Sequence, residues 1–256
     1  MILDEVKKTY VKDLLRHGKR ADGRGLLDYR DIKIEKGVLP NAEGSAMVTL
    51  GGTKVVAGVK FDLAVPFKDR PEEGIFMVNA EFTPGAHPEF EAGPPGENSI
   101  ELARVVDRGI RSAEVVDVKK LFIEEGKVYG LFVDLYILDH LGNLTDAASM
   151  AAMAALLDSK VPKYEKEQLS RDKYTGPLEV SKRVVTCTFE KIDGKLVLDP
   201  TVEEEIASDG RVTLASAEGG LIVAGQKSGR AGFSREEMMQ LIDLSLEKGR
   251  ELAEKL

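Results

Sequence analysis

A chain of 256 residues that is 43% hydrophobic and 31% charged is long enough to bury a substantial core and too apolar to stay disordered. Its formal net charge of -8 argues against nonspecific nucleic-acid binding by the whole surface but leaves room for a local basic patch. No apolar run approaches the roughly 18 residues of a membrane span, and "MILDEVKKTYVKDLL" has neither the apolar segment nor the cleavage site of a signal peptide, so a cytoplasmic protein without a membrane partner is expected.

Leu3, Val6, Tyr10, Val11 and Leu14 recur at helical intervals before Gly18, which predicts an amphipathic helix over 3–17. In the loop "GKRADGRG" that follows, Arg20 and Arg24 read best as ion-paired parts of a structural loop. "DIKIEKG" alternates as a strand, "AMVTLGGTKVVAGVKFDLAV" reads as a hairpin turning at Gly51-Gly52, and "GIFMVNAEFT" is a further strand. Pro and Gly crowd residues 84–95 into a long surface loop. Asn98 with Glu101 then predicts a capping box for the helix in "NSIELARVVDRGIRSAE". "KVYGLFVDLYILD", apolar on both faces in places, reads as a central strand, and "TDAASMAAMAALLDS" as an alanine-rich helix ended at Lys160-Val161-Pro162. The polar stretch "KYEKEQLSRDKYTGP" is the expected boundary between two halves. Beyond it come a hairpin at Asp193-Gly194, another at Gly219-Gly220, and a last helix opened by a capping box in "SREE" from Ser234. The expected architecture is α+β: an N-terminal helix and loop over 1–25, then two related strand-and-helix halves, 26–165 and 166–256, with mixed sheets covered by helices.

Cys187 is the only cysteine, which rules out an intrachain disulfide and a cysteine-built zinc cluster, and its strand-like surroundings predict a buried, inert thiol. His17, His87 and His140 lie far apart without metal-ligand spacing, so no metal site is expected. There is no nucleotide P-loop and no Gly-x-Ser-x-Gly elbow. What stands out is Arg104, Arg108 and Arg111, which fall within about 60° of one another on a helical wheel, opposite Leu102, Val105, Val106, Ile110 and Ala113. The pattern alone describes a solvated face with ion pairs through Asp107. That is the reading the pattern favours; the other is a phosphate-binding face, because arginine presents a permanently charged, planar fork of donors that suits phosphate oxygens.

Five segments in order, "GKRADGRGLLDYR", "GGTKVVAGVK", "ELARVVDRGIRSAE", "LDHLGNLTDAASMAAMAAL" and "DGKLVLDPTVEEE", together make the chain resemble the RNase PH family, and within it the non-catalytic ring subunits of the archaeal exosome. The resemblance implies an RNase PH-like fold and a role in phosphorolysis, in which inorganic phosphate attacks the last phosphodiester at an RNA 3′ end. Active members hold phosphate at a helix N-terminus reading Gly-Thr-Arg and use an aspartate as general acid. In this chain Leu144 and Thr145 stand where Thr and Arg are expected, Asp146 adds negative charge there, and Asp199 survives while Thr201 and Glu205 replace acidic positions. No catalytic residue is therefore expected. The resemblance further implies a catalytic paralogue as partner, three heterodimers closing a hexameric ring, RNA-binding cap proteins, and single-stranded RNA held by Arg104, Arg108 and, less centrally, Arg111. No cofactor is expected in this chain; phosphate is the co-substrate, and magnesium a candidate ion, at the partner's site.

Overall fold

The computed structural model describes residues 2–256. Helix α1 (Ile2–Arg16) ends where Gly18 takes a left-handed turn. Its buried side is not the one expected: Leu3, Val6 and Tyr10 are exposed, whereas Val11 and Leu15 pack with Ile192, Val197 and Ala207. The periodicity located the helix, but it did not tell which flank of the apolar stripe meets the body of the protein.

Five strands form the path of the first sheet: β1 (Ile32–Lys36), β2 (Gly44–Leu50), β3 (Thr53–Ala64), β4 (Ile75–Phe82) and, after helix α2 (Glu97–Ser112) and the short β5 (Phe122–Glu124), β6 (Lys127–Asp139). Their order is β1-β2-β3-β6-β4, with β5 also on β6; β4 runs parallel to β6 and the remaining pairs are antiparallel. The β2–β3 hairpin turns at Gly51-Gly52, with Leu50 opposite Thr53. As expected, β6 is central, and Val128, Leu131, Val133, Leu135 and Ile137 are buried along it.

Helix α3 (Leu144–Asp158) follows, then β7 (Lys160–Glu165) and β8 (Gln168–Pro177). The polar stretch expected at the boundary between the halves forms a two-stranded hairpin, turned by Lys166 and Glu167 in left-handed conformations; alternating charges suit strands that are solvated on both sides. The second sheet, order β10-β9-β11-β12, is antiparallel throughout: β9 (Val184–Ile192), β10 (Lys195–Leu198), β11 (Gly210–Ala217) and β12 (Leu221–Gly229). Between β10 and β11 sits α4 (Val202–Ala207), and α5 (Arg235–Ala253) closes the chain behind the capping box of Ser234 and Glu237.

Helix α3 is the element that joins the halves. It contacts β2 and β3 of the first sheet and β9 of the second, and every residue from Asp146 to Leu156 is buried. Alanines at 147, 148, 151, 152, 154 and 155 allow this double approach, since larger side chains would hold the sheets apart. At its end, Gly44 meets the helix so closely that a Cβ there would lie 2.5 Å from the Ala155 carbonyl oxygen. Successive residues of β9 point to opposite neighbours: Thr186 and Thr188 reach Asp146 of α3, whereas Cys187 lies against Ser245 of α5. The Cys187 thiol is fully buried, and burial pushes its pKa well above the ordinary thiol range, as an inert thiol requires. No helix among the described residues is long and apolar enough to cross a membrane.

Candidate functional site

Two surfaces flank α2. The helix starts at Glu97 with Gly96 as N-cap, and Ser99 Oγ donates to the Gly96 carbonyl at 2.9 Å. This corrects the expected capping box. Gly96 is the last extended residue, so the helix begins early and Asn98 is already inside its first turn. Leu102, Ala103, Val106 and Ile110 are buried, which turns Arg104, Arg108 and Arg111 to solvent. All three line a groove of about 500 Å³ between α2 and the edge strand β4, with Arg70 on its rim.

The three arginines are not equivalent. Arg111 is committed: its guanidinium donates to both oxygens of Asp107, at 2.8 and 3.0 Å, and to the Phe76 carbonyl at 2.8 Å. Arg108 donates to the neutral amide oxygen of Gln226 at 3.2 Å. Among the described residues Arg104 has no hydrogen-bond or ion-pair partner. Two cationic forks, four residues apart, therefore face the groove without neutralising carboxylates.

On another side of α2, a cleft of about 580 Å³ opens between the halves, lined by Glu101, Leu144, Thr145, Glu205 and Arg211 among others. At its edge the N-terminus of α3 is capped by Asn143, which adopts a left-handed conformation. Gly142 before it has φ +99°, and a Cβ there would sit 2.3 Å from the Pro200 carbonyl oxygen, so only glycine lets α3 begin this close to α4. Leu144 and Thr145 put no cation at the helix start.

Asp146 does not stand at the mouth, contrary to expectation. Its carboxylate turns inward and accepts from Tyr29, Asn143, Thr186 and both the amide and hydroxyl of Thr188, all within 3.0 Å. Burial raises its pKa while these donors pull the other way. The reason is side-chain direction: successive residues of a helix turn by about 100°, and position 146 faces β9.

Asp199 is committed to structural contacts. It is fully buried in a left-handed conformation, and its oxygens accept from Arg24, Asn143 and the backbone and side chain of Arg30 at 2.7–2.9 Å. Burial works to raise its pKa, but the bonds and charge of Arg30, helped by Asn143, hold it below the usual carboxylate value. Thr201 is the cap of α4, in a capping box with Glu204, and Glu204 also binds the buried Arg20 through two bonds of 2.6 and 2.8 Å. Arg20 and Arg24 are thus loop-anchoring residues, as expected from the sequence.

Sequence reading named Glu205 but missed Glu190 and Arg211 beside it. Arg211 donates through Nε to Glu190 at 2.5 Å and lies through Nη2 2.9 Å from Glu205. Burial lifts Glu190 to about 7 and raises Glu205 as well, with Arg211 opposing both shifts. His140 lies 3.9 Å from Glu205, and burial, with the charges of His87 and Arg211, lowers its pKa to about 4, leaving a neutral imidazole at pH 7. His87 and His140, distant in sequence, come together with ring centroids 5.2 Å apart. A lone arginine at the start of a strand carries no sequence signal that would have marked it.

The two sheet-and-helix halves joined by α3 have the layout of an RNase PH-type chain. Residues 28–162 match domain 1 and residues 182–248 match domain 2 of the 3′ exoribonuclease family, and the chain belongs to that RNase PH family. It is 46% identical over 261 residues to the exosome complex component Rrp42 of Thermococcus onnurineus, covering 100% of this chain and 96% of that protein. Identity to the Rrp42 component of Aeropyrum pernix is 48% over 248 residues, covering 94% and 90% respectively. Among solved structures, a chain of the Archaeoglobus fulgidus exosome with RNA bound to the active site superposes with a TM-score of 0.93 at 44% identity, covering 100% of this chain and 99% of that one. A chain of an archaeal exosome core gives 0.89 at 42% identity, covering 99% and 97%.

Proposed function

We propose that this chain is the non-catalytic RNase PH-type subunit of an archaeal exosome core. It pairs with a catalytic paralogue, three such pairs close a hexameric ring, and the α2 face holds single-stranded RNA while the partner carries out phosphorolysis. The observation that carries the reading is a contrast within one chain: Arg104 and Arg108 face solvent without carboxylate partners, while the cleft at the α3 N-terminus offers Leu144 and Thr145 where a phosphate needs a cation. The Rrp42 relatives and the RNA-bound exosome structure support it. Alternating subunits in a closed ring leave no exposed association edge. Inorganic phosphate, and any magnesium, belong to the partner's site, RNA-binding cap proteins complete the assembly, and the complex works in the cytoplasm.

Incubating the purified chain with RNA and phosphate tests the absence of catalysis. No nucleoside diphosphate should appear; robust release would instead establish a self-sufficient phosphorolytic exoribonuclease. Within the assembled ring, Arg104→Ala and Arg108→Ala should each lower the slope of log affinity against log salt by about one. Arg111→Ala should change it less, because Asp107 already neutralises that guanidinium. RNA affinity and salt slope unchanged by the first two substitutions would remove RNA holding from the proposal.

A further inference from the structure

The cleft between the halves has lost its phosphate-binding cation at the α3 N-terminus, yet Arg211 stands in the same cavity and is not free to serve. One oxygen of Glu205 faces two donor groups. The backbone N–H of Asn143 donates to Oε1 at 3.0 Å, and Arg211 Nη2 lies 2.9 Å from the same atom. Arg211 is held from behind by Glu190, so its position does not depend on Glu205 alone. An amide N–H and a guanidinium converging on one oxygen form a seat for an oxyanion such as phosphate, sulfate or a carboxylate.

We propose that Glu205 is an internal oxyanion that occupies this seat, making the cleft self-blocked rather than merely deficient. The inference deepens the non-catalytic reading and rests on it. Three features distinguish the contact from an ordinary surface ion pair. The Glu205 side chain is only 18% exposed, it borders an open cavity instead of packed side chains, and it bridges α4 to the start of α3, where the helix dipole also favours an anion. The chain thus satisfies, with its own carboxylate, the donors that an entering phosphate would need, and an external anion must displace a tethered one whose effective concentration is high.

The test is calorimetric titration of the folded chain with inorganic phosphate, and separately with sulfate, at pH 8 and constant ionic strength. Wild type should bind either anion only weakly and independently of Arg211. Glu205→Ala should bind both roughly tenfold or more tightly than wild type, the scale of a hydrogen bond to a charged group, and Arg211→Gln in the same background should abolish the gain. Glu205→Gln retains an acceptor for Asn143 and should show the same change at smaller amplitude, which keeps the test decisive if the alanine variant does not fold. Folded Glu205 variants that bind neither anion better than wild type would overturn the proposal and make Glu205 a purely structural link. Wild-type binding that depends on Arg211 would overturn it equally, by showing the seat open. Activity of the chain alone bears on the preceding reading, whereas anion titration decides this one, so the two can fail separately.

Discussion

At the scale of single residues, the clearest lesson is Asp199, whose identity as a family carboxylate pointed to chemistry while its surroundings point to structure. Its carboxylate lies between two arginines that are themselves only 14% and 11% exposed in their side chains, so its removal strips Arg30 of its ion-pair partner and leaves Arg24 with Asp22 alone. Asp199→Ala should therefore destabilise the fold by about 3–5 kcal/mol in denaturant unfolding. The pH dependence follows the same bond. Because the folded-state pKa is lowered, the stabilisation is fully present above the unfolded carboxylate value of about 4 and is lost as pH falls through the folded value. The acid limb of the wild-type stability profile should accordingly be flattened in the variant. None of this was legible in "LDPTVEEE", since the partners lie 169 and 175 residues away in the chain. The arginine face, by contrast, was legible at once, because helical period alone places residues 104, 108 and 111 together. Their ranking needed the structure, which showed Asp107 committed to Arg111 and to neither of the others.

At the scale of elements, the hairpins were the most readable feature. Glycine pairs and Asp193-Gly194 supply positive φ within two residues, and the register Ile192 opposite Lys195 is what such a turn imposes. Helix starts were readable where a side chain closes the turn, as at Ser234, and misread at α2, where the N-cap is Gly96 and no side chain caps the turn. The burial of α3 was only half legible. Alanine content announced a close neighbour but not that there were two, one on each side. Gly44→Ala tests that closeness, because the added methyl meets backbone of α3 as well as the Ser159 side chain and neither can simply rotate away. A loss of about 1–3 kcal/mol in chemical denaturation is expected, with the larger values if β2 must shift.

Considered whole, the protein has halves that read as separate units in sequence and share one continuous core in space, running from Val48 and Val133 through the alanines of α3 to Phe189 and Leu241. Calorimetric unfolding should therefore give a single transition with equal van't Hoff and calorimetric enthalpies, and two resolved peaks would show that α3 does not couple the halves. The same helix separates form from chemistry. The distance between the two sheets is gauged by the thickness of alanine side chains in the middle of α3, while what the cleft can bind is written in residues 144, 145, 205 and 211 around its mouth. Substitutions at the mouth can accumulate without altering that gauge. Such a body can change what its cleft binds and still present its neighbours with an unaltered silhouette.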